Sequence, residues 1–188
     1  MRKKTFFKDL KVLLGVTGGI ACYKAAELAR CLVKLGADVQ VVMTSAASAF
    51  IAPITFQALT GRTVKRELLD ENSESGMGHI ALSKWSDLIL IAPCTANTMA
   101  QFSTGACPDL LTTIWLGAKC PKVIAPAMNQ AMWKNEITQR NYNELKRCGI
   151  FFCDPEYGEQ ACGDVGPGRM MSPDKILELL SKNFPINK

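Results

Sequence analysis

The sequence contains a single histidine, His79, and no cysteine pair spaced as Cys-x-x-Cys. Any mechanism that needs two histidines is therefore excluded, and with it His-rich zinc sites and the His-x-x-x-His chemistry of metalloproteases. Without the Cys-x-x-Cys spacing, neither a zinc knuckle nor a thioredoxin-like dithiol is indicated. The sequence predicts no metal site.

Long apolar runs are also absent. No window approaches the roughly 18 apolar residues that a membrane span needs. Lys8 and Asp9 follow closely on the basic start, which leaves no apolar core for a secretory signal. Eight cysteines without such a signal are typical of a protein kept in a reducing compartment. We expect a cytoplasmic protein with reduced thiols and no membrane partner.

The charge is not distributed evenly. The chain has 22 Lys and Arg against 17 Asp and Glu, a net charge of +5, and five of the basic residues lie within the first eleven positions: Arg2, Lys3, Lys4, Lys8 and Lys11. We interpret residues 1–10 as a solvated basic tail and expect no nucleic-acid partner. With 188 residues, 48% hydrophobic and 21% charged, the composition is typical of one soluble globular domain spanning 1–188.

Short apolar runs alternate with segments of helical periodicity. We expect strands buried on both faces at 11–16, 38–43, 88–92, 122–125 and 150–153. We expect helices at 20–35, 53–59, 95–102, 109–116, 136–148 and 172–182. The segment 61–78 is expected to be irregular, and 154–171 to be a long glycine-rich loop. This order predicts an α/β fold of three layers, with a doubly wound, mainly parallel sheet in a single Rossmann-like domain.

The residues that follow the first four strands are small or polar. They are the segments 17–19, 44–45, 93–98 and 126–129. Ligands of open parallel sheets bind beyond the carboxyl ends of the strands. These segments therefore predict a pocket for a flat ligand with polar edges.

The first of these turns, Gly15 to Ile20, resembles a dinucleotide fingerprint but is not Gly-x-Gly-x-x-Gly. Its glycines could also serve only the packing of strand against helix. Dinucleotide enzymes usually place an acidic residue at the end of the second strand, where this chain has Thr44 and Ser45. Because hydroxyls beside a helix N-terminus suit a phosphate, a mononucleotide such as FMN fits better than NAD.

Five motifs occur in a fixed order along the chain. They are Gly18-Gly19-Ile20-Ala21 with Tyr23-Lys24, Gly78-His79-Ile80, the segment 92–98, Pro126-Ala127-Met128-Asn129 with Met132-Trp133, and the segment 161–170. Together they resemble the homo-oligomeric flavin-containing cysteine decarboxylases. The last motif resembles the substrate-recognition clamp, here 154–171, of the phosphopantothenoylcysteine decarboxylases within that family. The resemblance extends from Lys11 to Lys182.

The resemblance implies FMN-dependent decarboxylation of 4′-phospho-N-pantothenoylcysteine to 4′-phosphopantetheine in coenzyme A biosynthesis. In the family, oxidation of the substrate thiol by FMN gives a thioaldehyde that can accept the electrons of decarboxylation, and the resulting enethiol is then reduced. The resemblance also implies a homotrimer, or a dodecamer of four trimers, in which His79 reaches a neighbouring subunit's site. Many bacterial relatives carry a phosphopantothenate–cysteine ligase domain, so we expect such a ligase, as a domain or a separate protein, as a partner.

The resemblance also implies roles for individual residues. His79 is expected to assist oxidation of the thiol as a base, and Cys162 to supply a proton when the enethiol is reduced. Asn129 is expected to hold the substrate carboxylate and could also cap a short helix. Further substrate contacts are expected at Met128, Ala161, Gly163, Arg169 and Met170. FMN is expected to contact Gly18, Gly19, Ile20, Thr44, Ser45, Thr95, Ala96, Asn97, Thr98 and Ala127.

The chain departs from the family pattern at two places. Cys94-Thr95 stands where Ala-Ser is commoner, although Thr95 preserves the hydroxyl. Met171-Ser172 stands where a glutamate often precedes the proline. We expect flavin binding to survive the first departure, while the second bears on how the clamp closes.

Three other functions stay open. A peptidyl-cysteine decarboxylase would share the flavin site but release the enethiol unreduced, which Cys162 argues against. A flavin prenyltransferase should lack both the Pro-Ala-Met-Asn segment and the clamp. A regulatory subunit of a protein phosphatase typically has a long acidic tail, which the sequence does not show.

Overall fold

A computed structural model describes residues 2–68 and 78–184 of the chain. Its helices are α1 Arg2–Phe7, α2 Cys22–Lys34, α3 Ser45–Ser48, α4 Pro53–Thr60, α5 Gly78–Trp85, α6 Ala96–Thr104, α7 Leu110–Gly117, α8 Gln130–Lys134, α9 Glu136–Arg147 and α10 Pro173–Asn183. Its strands are β1 Lys11–Val16, β2 Asp38–Met43, β3 Leu88–Cys94, β4 Lys122–Pro126, β5 Phe151–Phe152, β6 Glu156–Glu159 and β7 Val165–Arg169. No helix in these two ranges has both the length and the apolar character required to cross a membrane.

Strands β1 to β5 form one parallel sheet in the order β2-β1-β3-β4-β5. Alternate residues of β1 enter different cores, since Leu14 packs in the cluster with α2 and α10 and Leu13 in the cluster with α6, α7 and α9. Helices on both faces explain why the strands are continuous apolar runs. The prediction of a doubly wound, three-layer α/β fold is confirmed.

The strand order places a switch point between β1 and β3. The chain runs from β1 outward to β2 and then returns to the other side of β1 as β3, where Val12 pairs with Leu88. Connections therefore leave these two strands in opposite directions, which opens a crevice at their carboxyl ends. This crevice is the part of the fold that concerns function.

The segment 154–171 is not the irregular loop that the sequence predicted. Strands β6 and β7 pair antiparallel within it, with Glu159 opposite Val165, as a two-stranded ribbon separate from the main sheet. The ribbon has little apolar alternation, and its glycines Gly158 and Gly168 have φ values of +157° and +143°. Its pairing therefore depends on backbone geometry that the hydrophobic pattern does not reveal.

The prediction of a solvated tail over residues 1–10 is wrong in part. Lys8 is exposed as expected, but helix α1 spans Arg2–Phe7, and Phe6 and Phe7 are 5% and 0% exposed in the core beside α10. Two adjacent aromatic rings gain more from burial than the short basic segment loses by being ordered.

The segment 61–78 is described only in part. Residues 61–68 are irregular, as predicted, apart from a bridge between Lys65 and Val42. Residues 69–77 lie outside the described residues. Gly78, the last residue of the predicted irregular segment, is already the first residue of helix α5, which the sequence did not predict.

Candidate active site

A cavity of about 1100 Å³ opens at the carboxyl ends of β1 to β4. Its wall includes all ten residues at which FMN contacts are expected. Cys162 also lines it, with the expected substrate contacts Met128, Asn129, Ala161, Arg169 and Met170. Gly163 and His79 are not part of this wall.

Thr17 joins the first turn to the end of β3 beneath the cavity. Its Oγ1 donates to the carbonyl oxygen of Pro93 at 2.8 Å and accepts from the backbone nitrogen of Thr95 at 3.0 Å. The side chain is 1% exposed, so these bonds satisfy a hydroxyl that burial would otherwise penalise. The turn 17–19 was expected to line a pocket. Thr17 itself lies outside the cavity wall, and its bonds to the end of β3 were not predicted.

Gly18 and Gly19 serve different purposes in the first turn. A Cβ at Gly18 would lie 2.6 Å from the Cβ of Ala46, so only glycine lets this turn approach the residues that follow β2. A Cβ at Gly19 would meet nothing within 4 Å. Gly18 therefore packs the turn, whereas Gly19 leaves space at the cavity wall.

Hydroxyl groups at the cavity also cap helices. Thr44 Oγ1 accepts from the backbone nitrogen of Ala47, and Thr95 Oγ1 from that of Thr98 at 3.2 Å. Both side chains are thereby oriented where the two helices begin. The cavity wall thus carries hydroxyl groups after β2 and β3 and side-chain amides at Asn97 and Asn129. These groups, around a volume of this size, fit the polar edge and the phosphate of FMN.

The departure at Cys94 does not alter this wall. Cys94 is fully buried in the cluster with α6 and α7, and burial raises the pKa of its thiol far above the ordinary value. Of the two residues Cys94 and Thr95, only Thr95 lines the cavity. The substitution at Cys94 is thus a change in core packing, and the hydroxyl at the cavity is kept.

Asn129 and the ribbon meet at the cavity wall. Asn129 Oδ1 accepts from the backbone nitrogen of Ala131 at 2.8 Å, which caps α8 and determines the orientation of the amide. Its Nδ2 then donates to Asp164 Oδ2 at 2.8 Å and to Cys162 Sγ at 3.2 Å. One amide group therefore connects a helix start with the turn that carries Cys162.

Two cations line the same cavity near the base of the ribbon. Lys24 Nζ donates to the carbonyl oxygen of Met170 at 2.7 Å, and Arg169 is the preceding residue. Burial, and secondly the positive charge of Arg169, lower the pKa of Lys24. The negative charge of an anion bound here would oppose both effects on this pKa. Lys24 belongs to the motif Gly18-Gly19-Ile20-Ala21 with Tyr23-Lys24, but its place at the cavity was not predicted.

His79 lies apart from this group of residues. It is the second residue of α5, and its carbonyl oxygen accepts from Ser83 Oγ at 2.7 Å. Its Nδ1 is buried and has no hydrogen-bond partner among the described residues. Within one chain the structure therefore does not bring His79 together with Asn129 and Cys162.

A metal site is not apparent in the described parts of the chain. Across residues 2–68 and 78–184, no three His, Cys, Asp or Glu side chains are grouped so that they could hold an ion. The polar groups of the cavity include hydroxyls, amides and two cations, which suit an anionic organic ligand, beside the carboxylates of Asp109 and Glu159 and the thiol of Cys162.

Comparison with known proteins gives three kinds of relative. A model of the flavoprotein family matches residues 2–184. The coenzyme A biosynthesis bifunctional protein CoaBC of Vibrio parahaemolyticus is 53% identical over 174 residues, which are 93% of this chain and 44% of that protein. The chain thus spans less than half the length of this relative.

Two solved structures share the fold over almost the whole chain. A cysteine-to-serine mutant of PPC decarboxylase, complexed with pantothenoylaminoethenethiol, has a TM-score of 0.81 and 31% identity over 92% of this chain and 97% of that one. The FMN-dependent cysteine decarboxylase SpaF has a TM-score of 0.79 and 29% identity over 94% of this chain and 99% of its own.

Proposed function

The chain belongs to the flavoprotein family, and from this we propose that it is a phosphopantothenoylcysteine decarboxylase with FMN as its cofactor. The reaction converts 4′-phospho-N-pantothenoylcysteine to 4′-phosphopantetheine and CO₂ in coenzyme A biosynthesis. Such an enzyme needs a flavin site beside groups that recognise a carboxylate and deliver protons. The cavity beyond β1 to β4 is the candidate for all three.

The observation that carries this proposal is the contact of Asn129 with Cys162. The cysteine end of the substrate holds a carboxylate and a CH₂–SH unit on neighbouring carbons. An amide donor and a thiol 3.2 Å apart can therefore contact both ends of that unit at once. A peptidyl-cysteine decarboxylase, which releases the enethiol unreduced, has no use for the thiol of Cys162.

Lys24 and Arg169 would bind the other end of the substrate, its phosphate. Both line the cavity, and a phosphate there would neutralise two neighbouring positive charges and accept hydrogen bonds from them. We assign the 4′-phosphate of the substrate to these residues. Lys24 would then be held protonated by its ligand, against the effect of burial.

FMN, when bound, supplies the two-electron oxidation of the substrate thiol and returns the two electrons after CO₂ has left. The glycines and hydroxyls of the first turn, the end of β2 and the start of α6 hold it. Asn129 Nδ2 orients the carboxylate before it departs. Cys162 gives the Sγ proton when the enethiol is reduced, and the ribbon β6–β7, our candidate clamp, excludes water meanwhile.

In this scheme, His79 can reach a substrate only if the protein is an oligomer. We propose a trimer, alone or as one of four, in which His79 takes the thiol proton at the site of a neighbouring subunit. Its position outside the cavity of its own chain supports this arrangement. The exposed apolar side chains Ile20, Tyr23 and Met132, also at the cavity, would be covered by such a neighbour.

The oligomer can be tested by complementation. Chains with His79→Asn should be inactive alone, and chains with Asn129→Asp should be strongly impaired. After random assembly of equal amounts, about one quarter of all sites would combine an intact Asn129 with a neighbour's intact His79. Co-expressed variants should therefore be more active than either variant alone. Co-expressed chains no more active than Asn129→Asp alone would contradict a shared site.

Location and partners follow from the same scheme. All eight cysteines are unpaired, which supports a reducing compartment, and we propose the cytoplasm. The substrate is an amide of cysteine with phosphopantothenate, so a phosphopantothenate–cysteine ligase must supply it. We propose that this ligase is a fused domain or a separate partner protein.

One assay tests the function. Purified protein should be yellow, release CO₂ from phosphopantothenoylcysteine and yield the saturated thiol. Accumulation of the enethiol by the unaltered protein would instead favour the chemistry of the peptidyl-cysteine decarboxylases. Protein that stays colourless with added FMN and releases no CO₂ would refute the proposal.

A further inference from the structure

The side chain of Gln160 ties the ribbon to the turn after β4. Its Oε1 accepts from the backbone nitrogen of Gln130 at 2.9 Å. Its Nε2 donates to the carbonyl oxygens of Met128 at 3.3 Å and Pro167 at 3.4 Å. The bonded groups at Met128 and Gln130 flank Asn129 on both sides, so Gln160 is attached to the segment that presents the carboxylate-binding amide.

The backbone of Gln160 closes the turn that carries Cys162. Its nitrogen donates to the carbonyl oxygen of Asp164 at 2.7 Å, and its carbonyl oxygen accepts from the nitrogen of Gly163 at 2.9 Å. Cys162 is therefore enclosed in a short hydrogen-bonded turn whose first residue is bound to the segment around Asn129. No hydrogen bond of Gln160 is made to Cys162 itself in the described residues.

The glycines of β7 make this attachment possible. A Cβ at Gly168 would lie 2.5 Å from Gln160 Nε2 and 2.2 Å from the carbonyl oxygen of Met128. Gly168 also accepts from the nitrogen of Met128 at 3.0 Å. The backbones of β7 and of the Met128 turn thus approach as closely as two paired strands, and the amide of Gln160 bonds across the same contact.

We propose that Gln160 is a positioning residue that keeps the thiol of Cys162 within reach of the intermediate while Asn129 binds the substrate. This inference rests on the proposed function. Reduction of the enethiol carbon–carbon double bond takes two electrons and two protons. The reduced flavin would give both electrons and one proton as a hydride, and Cys162 Sγ would give the other proton. Gln160 touches neither substrate nor reacting atoms and acts only through the turn 160–164.

Only an amide can make this set of bonds. Two of its contacts are carbonyl oxygens that need a donor, and the third is a backbone N–H that needs an acceptor. Glutamate would place a carboxylate against the two carbonyl oxygens, and methionine would keep the shape without either function. Because delivery of a proton depends on distances of about 3 Å, a small shift of the turn should slow this step most.

The test is the product ratio of the FMN-loaded Gln160→Met enzyme. The ratio of enethiol to saturated thiol should rise at least about tenfold, while CO₂ release falls much less, because the thiol oxidation and carboxylate loss do not use Cys162. Gln160→Glu should shift the ratio in the same direction, so the result does not depend on the folding of one variant.

A matched control is Gln40→Met. Gln40 also donates from Nε2 to two carbonyl oxygens, those of Val41 and Thr63, but lies in β2 away from the ribbon. It should lose stability without a change in product ratio. Equal losses of CO₂ and saturated thiol in both Gln160 variants would mean a merely structural role and overturn the inference. If the unaltered enzyme releases no CO₂, the proposed function itself, on which this inference rests, would be refuted.

Discussion

The side-chain nitrogen of Asn129 lies 3.2 Å from the sulfur of Cys162, although the two residues are 33 positions apart. Asp164 accepts from the same nitrogen at 2.8 Å. The candidate carboxylate donor and the candidate proton donor are therefore neighbours before any substrate atom is considered. Their separate contributions can be distinguished by substitution.

Replacing Cys162 by serine should leave decarboxylation in place and interrupt the final reduction. A hydroxyl is a far weaker acid than a thiol, so the enethiol should accumulate while CO₂ is still released. Mass spectrometry of the products measures this. Cys148→Ser, at an exposed cysteine away from the cavity, is the control. Normal yields of saturated thiol from Cys162→Ser would remove Cys162 from the mechanism.

Asn129→Asp should separate helix capping from substrate binding. The variant keeps an oxygen for the backbone nitrogen of Ala131 but loses the donor Nδ2. A lost hydrogen bond to a carboxylate contributes about 1.5–3 kcal/mol, so kcat/KM should fall at least about 10- to 150-fold. The new carboxylate faces Asp164, so Tm should fall somewhat although the cap of α8 is kept. Asn135→Asp, at a residue that caps α9 in the same way, should retain full activity.

His79→Asn should bind flavin without turnover. Asparagine cannot take a proton near neutral pH, whereas an imidazole can. The flavin absorbance should match that of the unaltered protein, and stopped-flow bleaching of that absorbance by substrate should disappear. Unchanged rates would refute the assignment of His79 as the base.

The KM for substrate should rise in alkaline solution. Burial and Arg169 lower the pKa of Lys24 below its usual 10.5, so its positive charge is lost at a lower pH than that of a solvated lysine. The phosphate then loses an ionic partner, and affinity falls as the pH rises through the lowered pKa. Measured below pH 10.5, this rise should be absent from Lys24→Met and present in Lys34→Met, an exposed site on the same helix.

The thiols should differ widely in their reaction with iodoacetamide. Cys148 and Cys162 are exposed, whereas Cys153 is 0% exposed and its pKa is raised to about 12, chiefly by burial and further by Asp154. Only a thiolate attacks, so Cys153 should react orders of magnitude more slowly in the native protein. Peptide mapping measures each site. Labelling of Cys153 as fast as Cys148 would show that the core opens readily.

The main sheet and the approximate bounds of α2, α4, α6, α7, α9 and α10 could be predicted because their signals are local, whereas the helices α1, α3, α5 and α8 were not predicted. A strand buried on both faces must be continuously apolar, as Leu88 to Ala92 is, and a helix end shows its glycine, as Gly36 does. The ribbon gave no such signal. Glu156–Glu159 and Val165–Arg169 pair through the backbone with half-exposed side chains, so their sequence resembles a loop.

The candidate site divides in the same way. The segments after the strands could be assigned to a pocket from sequence, because parallel strands end at one edge. The bonds of Thr17 and the roles of Lys24 and Gln160 were not predicted. Each acts through a partner in a distant segment, at Pro93, Met170 and Met128 respectively, and no spacing along the chain indicates such a pair.

The sequence alone determined the α/β fold, the order of the motifs and the residue types at the strand ends, since these depend on hydrophobic periodicity and on short contiguous segments. The tertiary structure decided which of those residues meet. It brings Cys162 to Asn129 and Lys24 to Met170, and it leaves His79 outside the cavity of its own chain. The physical reason is that such contacts depend on strand order, on the close backbone approach that Gly168 permits and on bonds between remote segments, none of which is encoded in a local pattern.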